Sequence, residues 1–264
     1  MTPVPSPVLV VRTALARSND QNRVERVCYL VGAVLIAAGV LHLGVAAVDP
    51  RPWLGPLSWR KPVTFGVSFG LTLISVTWVA SYLRLTERAR TVLLGVFAAD
   101  CVVEVTGITV QAWRHVPSHL NTTTPLNSVI AFSLAFGGAV LVVVLGALAR
   151  TALQGRVDAA PSMRLALRAG FALLMAGLAA GVAMIARGEV LLRGGHRAQA
   201  YNDAGFLKGF HGATIHAVLV LPALAWWLAR RPLTEARRTR IVATAAAGYV
   251  VAAVVVLAGS IARA

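Results

Sequence analysis

Seven stretches of about 20 apolar residues run through this chain, near 26–48, 62–83, 91–113, 126–149, 165–186, 209–229 and 241–262, each long enough to cross the hydrocarbon core of a bilayer as a helix. In lipid only helices and closed barrels satisfy every backbone donor and acceptor, and barrel strands are short and alternate in polarity. These runs are long and uniform. The expectation is an all-α, polytopic transmembrane helical bundle with seven transmembrane helices.

Composition bears on what this excludes. The 264 residues are 57% hydrophobic and 13% charged, against about 25% charged in an ordinary soluble domain. A soluble globular enzyme, a disordered chain and a disulfide scaffold are all set aside. Cys28 and Cys101 lie in apolar surroundings and are read as thiols rather than a disulfide. The net charge of +15 does not point to nucleic acid, because the basic residues flank apolar stretches instead of lining a helix face. Residues 1–25 read as a polar cytoplasmic tail and 26–264 as one seven-helix domain without internal repeats. The first apolar run is too long for a cleaved signal peptide.

Sixteen of the 25 basic residues fall in the N-terminal tail and the connections after spans two, four and six. The positive-inside rule then places the N-terminus in the cytoplasm, the C-terminus outside, and the protein in the cytoplasmic membrane. All six histidines (His42, His115, His119, His196, His211, His216) and both lysines (Lys61, Lys208) fall on the opposite, outer side. Chemistry is therefore expected there, in a polar cavity opening outward.

Span three carries the strongest signal. At 100° per residue, Asp100, Glu104, Gly107, Gln111 and Arg114 form one polar stripe within about ±40°. Ionisable groups at membrane depth usually face a cavity or a partner, although a hydrogen-bonded seam between helices accounts for such a stripe as well. The stripe runs into a connection dense in donors, 114–121, with Ser118, His119 and Asn121. In span two, Lys61 heads a face of hydroxyl residues, and Gly66-x3-Gly70 offers a close-packing groove. In span six, His211 and His216 lie about 140° apart on a regular helix, so they do not form the i, i+4 pair of a zinc-protease helix. Depth brings these groups together: at 1.5 Å per residue, Glu104 lies about 15 Å in from Arg114 and His216 about 12 Å in from Lys208, a level that His42 also reaches.

Three blocks, Trp59-Arg-Lys-Pro-Val-Thr-Phe-x2-Ser68, Glu104-x6-Gln-x2-Arg-x3-Ser-His-x-Asn121 and Lys208-x2-His-x4-His-x5-Pro222, resemble those of a widespread bacterial family of uncharacterised multi-span membrane proteins. The resemblance covers nearly the whole chain and implies positions rather than an activity. It marks Lys61, Glu104, Gln111, Arg114, Ser118, His119, Asn121, His211 and His216. The chain departs from the blocks at His115 (usually glycine), Leu120 (phenylalanine), Phe206 (an acid) and Leu219 (glutamine). The His-x3-His of the seven-helix zinc hydrolases is missing, since span seven has no histidine.

Three functions fit these residues. The first is an outward-facing metal or haem site for redox or hydrolytic chemistry, with His42, His211, His216 and Glu104 as ligands and Glu104, Arg114 and Lys61 as catalytic groups. The second is a carrier or sensor for an anionic or proton-coupled small ligand, with Lys61, Arg114 and Lys208 as a positive mouth, Glu104 with Asp100 as a protonatable relay beneath it, and Gln111, Ser118, His119, Asn121 and Lys208 as ligand-binding residues. The third is a structural subunit of a membrane complex. The expected partners are the lipid bilayer and a small-molecule or lipid ligand, with no nucleic acid. Glu104 is expected to take a basic partner from another span, either Lys61 or a histidine. His211 is expected beside Arg114 or His119.

Overall fold

A computed structural model describes residues 23–262. The described chain is all-helical: α1 (Arg23–Val48), α2 (Arg60–Ala80), α3 (Glu87–Trp113), α4 (Pro125–Leu153), α5 (Pro161–Arg193), α6 (Arg197–Asp203), α7 (Lys208–Ile215), α8 (Ala217–Leu228) and α9 (Glu235–Ile261). They make seven membrane-crossing segments, with α6, α7 and α8 together forming the sixth. Most of the expected polar tail lies outside the described residues. Its last residues open α1, which starts at Arg23, three residues before the expected boundary.

This is an integral membrane protein by its surface as well as its sequence. Leu41, Val129, Phe136, Val251 and Val255 are among its most exposed side chains, and exposed apolar surface on this scale is stable only against lipid. The outer helices α1 and α9 bury only 17% of their apolar windows against protein, whereas α2 buries 50% and sits at the centre.

Close contact in a membrane has to come from packing, because lipid is as apolar as leucine. The α1–α2 pair obtains it from four glycines. A Cβ on Gly66 would stand 2.8 Å from the Gly39 Cα, and one on Gly32 would stand 2.9 Å from the Gly70 carbonyl oxygen. Glycines also seat the sixth segment on α5. A Cβ on Gly170 would meet the Val218 backbone at 2.9 Å, and one on Gly177 would meet Thr214 Oγ1 at 2.6 Å. The sixth segment breaks at His216, between α7 and α8. Thr214 Oγ1 donates back to the carbonyls of Phe210 (2.8 Å) and His211 (3.2 Å), and Pro222 has no N–H to donate to Val218.

The arginine-rich end is tied by named bonds. Arg90 pairs with Glu25 at 3.1 Å and donates to the carbonyls of Ala80 (2.9 Å) and Leu83 (3.2 Å), so it caps the C-terminus of α2. Glu235 accepts from the Ser162 N–H at 2.8 Å and closes the start of α5. The α2–α3 and α4–α5 connections join through a single bridge, Leu83 with Val157.

The glycine contacts give a direct test. Gly66→Ala should lower thermal stability in detergent by about 1–3 kcal/mol, the usual penalty of overpacking. Gly44→Ala, with nothing within 4 Å of its Cβ position, should leave the melting curve unchanged.

Candidate functional site

The polar stripe of α3 is turned against α4. Three levels succeed one another along this antiparallel pair. Nearest the connection, Gln111 Nε2 donates to Asn127 Oδ1 at 3.2 Å, and Arg114 donates to the same oxygen at 2.7 Å and to Gln111 Oε1. One turn deeper, Gly107 admits Leu134, whose Cδ2 would lie 3.0 Å from a Cβ there. Deeper again, Asp100 and Glu104 both lie over Gly137 of α4. The upper level is a hydrogen-bonded seam, and Gln111, Asn121 and Asn127 within it are fully buried.

That seam shapes the 114–124 connection. Asn127 Nδ2 donates to Thr123 Oγ1 at 2.9 Å, and Thr123 donates in turn to Asn121 Oδ1 at 2.8 Å. Asn121 Nδ2 reaches the Pro117 carbonyl at 3.2 Å. Two tight turns are needed to fold this loop, at His115 (φ 57°) and Leu120 (φ 59°). Both adopt the left-handed conformation that glycine takes without strain. Ser118 Oγ and His119 Nδ1 are held 2.9 Å apart, and the His119 ring lies 5.9 Å from that of Phe65.

Beside this loop the structure gathers positive charge. Lys61 lies within electrostatic reach of Lys208, Arg60 and His119. No carboxylate answers them: among the described residues none of Arg60, Lys61 and Lys208 forms an ion pair. Lys61, Ser58 and Ser118 line a crevice floored by Ile108 and Ala112. The Ser58 hydroxyl of this crevice is buried without a hydrogen-bond partner, as is Arg60 Nε on the neighbouring first turn of α2. The crevice has no room for a water molecule. Burial and the neighbouring Lys61 ammonium hold His119 down at about 4, leaving it a neutral imidazole.

The aromatic wall of this end holds His42. Its Nδ1 lies 2.7 Å from the Ala38 carbonyl, and its Nε2 accepts from Trp113 Nε1 at 3.2 Å. These two bonds select the Nδ1–H tautomer and occupy both ring nitrogens. Trp59 and Trp113 pack edge-to-face with centroids 5.0 Å apart. Arg51 covers Trp59 at 3.9 Å and donates to the last-turn carbonyl of Ala112 at 2.9 Å. Two hydrogen bonds from Arg51 hold the Asp49 carboxyl down at about 2.

Several expectations are corrected by this geometry. The candidate ligands His42, His211, His216 and Glu104 do not gather into one site: among the described residues no three histidine, cysteine or carboxylate side chains come together as a metal site. His211 is not beside Arg114 or His119. Its Nδ1 lies 2.7 Å from the Gly177 carbonyl, which the absence of side chains at Gly177 and Gly181 of α5 allows, and His216 stays within its electrostatic reach. Glu104 has no basic partner among the described residues, and its charged neighbour is Asp100. Sequence reasoning missed Ser58, Arg60, Asn127 and Gly137. For Asn127 a signal existed, since it and Gln111 stand eight residues either side of His119, where an antiparallel pair places facing groups.

No protein-family model, no curated protein and no solved structure matches this chain.

Two measurements check this site. Asn127→Ala leaves the buried Gln111 Nε2 without its acceptor and removes one of the two acceptors of Arg114, and should cost about 2 kcal/mol of stability in detergent unfolding. The unfolded state binds a proton on His119 near 6.5 while the folded state does so only near 4. This contribution to stability is therefore complete above pH 6.5 and declines as pH falls from about 6.5 to about 4. His119→Gln should flatten that part of the pH–stability curve.

Proposed function

We propose that this protein is a receptor or carrier for a small anionic ligand, bound at the end of the bundle that carries the histidines. The observation that supports this reading most directly is the group Arg60, Lys61 and Lys208. Lys61 lines a crevice with the serine hydroxyls of Ser58 and Ser118 and no carboxylate, and Arg60 and Lys208 lie within its electrostatic reach without forming an ion pair among the described residues. Neighbouring cations without counter-charges repel one another, and an anion that accepts from several of them at once relieves the repulsion. Ser58 and Ser118 would add neutral donors, and neutral His119 a third. That sixteen of the 25 basic residues fall on the other side of the spans supports an orientation with this site facing outward from the cytoplasmic membrane.

Because the crevice has no room even for a water molecule, binding requires the Pro56–Ser58 segment to move away from Lys61 and Ser118. The break at His216, where α7 meets α8, gives Lys208 a short helix of its own to move on. Gln111, Arg114 and Asn121 act in this reading as the frame of the loop, since their bonding groups are engaged with each other and with Asn127, Thr123 and Pro117. The metal and haem readings have less support, because His42 has both ring nitrogens engaged. The reading as a structural subunit has no observation in its favour.

Trp59 and Trp113 stand close to the site and report on it. Titration of purified protein with inorganic phosphate, sulfate and citrate, followed by tryptophan fluorescence, should show saturable binding of at least one of them. Lys61→Met should weaken that binding by about tenfold, the effect of one charge-assisted contact. Absence of a saturable response to any of the three, or unchanged affinity in Lys61→Met, would count against the proposal.

A further inference from the structure

We infer that Asp100 and Glu104 form a proton-binding site inside the membrane, holding one proton between them over Gly137. This goes beyond the anion site and does not rest on it.

Geometry brings the two carboxyls to one place. They lie one turn apart on α3, and a Cβ on Gly137 would stand 2.6 Å from Asp100 Oδ1 and 2.8 Å from Glu104 Oε1. Both oxygens therefore occupy the notch that the missing side chain leaves in α4. Asp100 is 8% exposed and Glu104 4%. Asp100 Oδ2 is buried and has no hydrogen-bond partner, which leaves an oxygen available for a proton.

The surroundings offer nothing else to neutralise the pair. Neither carboxyl forms an ion pair among the described residues. From the elements packed against them, α4 has no titratable side chain between Pro125 and Ala149, and α2 has none beyond Lys61. The thiol of Cys101, on α3 itself, lies within electrostatic reach of both carboxyls, whereas on α1 Cys28 donates to the Leu94 carbonyl at 3.6 Å, Glu25 pairs with Arg90, Tyr29 lies within electrostatic reach of Glu25, and His42 is engaged with Ala38 and Trp113. Two carboxylates in such a site repel across a low dielectric, and each is costly to desolvate. Taking one proton from water reduces two negative charges to one and supplies the donor that Asp100 Oδ2 lacks. No other reactant is required, and the proton returns to water on release.

Infrared spectroscopy of the full chain in lipid nanodiscs reads this directly through the stretching band of a protonated carboxyl. Wild type should show the band at neutral pH, and it should be unchanged when sodium replaces potassium in the buffer. Glu104→Gln and Asp100→Asn, each supplying a neutral amide in place of the protonated acid, should each lose it. Gly137→Ala, which places a methyl group where the oxygens lie, should keep the fold and shift the band. The inference fails if wild type shows no protonated-carboxyl band at neutral pH. It fails equally if sodium removes the band, if the band persists undiminished in both acid variants, or if Gly137→Ala leaves its position unchanged.

Discussion

Polar side chains survive in the middle of this bundle because α3 and α4 lie close enough for them to satisfy one another or to share a notch. In hydrocarbon an unmatched donor has no water to turn to, so the seam from Gln111 and Arg114 to Asn127 is a condition for α3 to carry its polar stripe at all. The same seam reaches outward through Thr123 and Asn121 to Pro117. It sets the loop on which Ser118 and His119 stand next to Lys61. Loosening the α3–α4 contact would release the loop, and with it one wall of the cationic crevice.

Two sites of opposite character then share one helix. Ile108 and Ala112 of α3 form the floor of the positive crevice. Asp100 and Glu104, on a neighbouring face of α3 and about one to three turns deeper, hold the acidic notch against Gly137. Gly107 with Leu134, and the fully buried Ile108, keep the two levels apart by an apolar layer. A proton in the notch and an anion in the crevice would each alter the field felt by the other, and α3 is the rigid element between them.

The sequence makes the seven crossings legible, because apolar length is decided by the bilayer and not by tertiary contacts. It also reveals the stripe on α3, since a 100° rotation per residue places 100, 104, 107, 111 and 114 together whatever surrounds them. The direction in which that stripe points is a property of pairs of helices. Gly137 carries no chemistry of its own, and its importance exists only opposite Asp100 and Glu104. The histidines mislead for a related reason. His42 and His216 share a depth by residue count, but His42 is committed to Ala38 and Trp113, and His211, nearer the helix start, to Gly177. Depth along a helix can be counted from sequence, while the facing carbonyl or indole cannot.

The account rests on the α3 stripe facing α4, and disulfide trapping in native membranes tests that placement most directly. The pair to use is Gly107→Cys with Leu134→Cys, because Leu134 Cδ2 would lie 3.0 Å from a Cβ at position 107. The background should lack both native thiols, Cys28 and Cys101, which are buried and unpaired. Mild oxidation should link the two positions within one chain, and the thiol at 107 should resist a membrane-impermeant maleimide until the protein is denatured. Failure to cross-link, together with rapid labelling of the thiol at 107 in intact membranes, would place the stripe in open water and contradict the account.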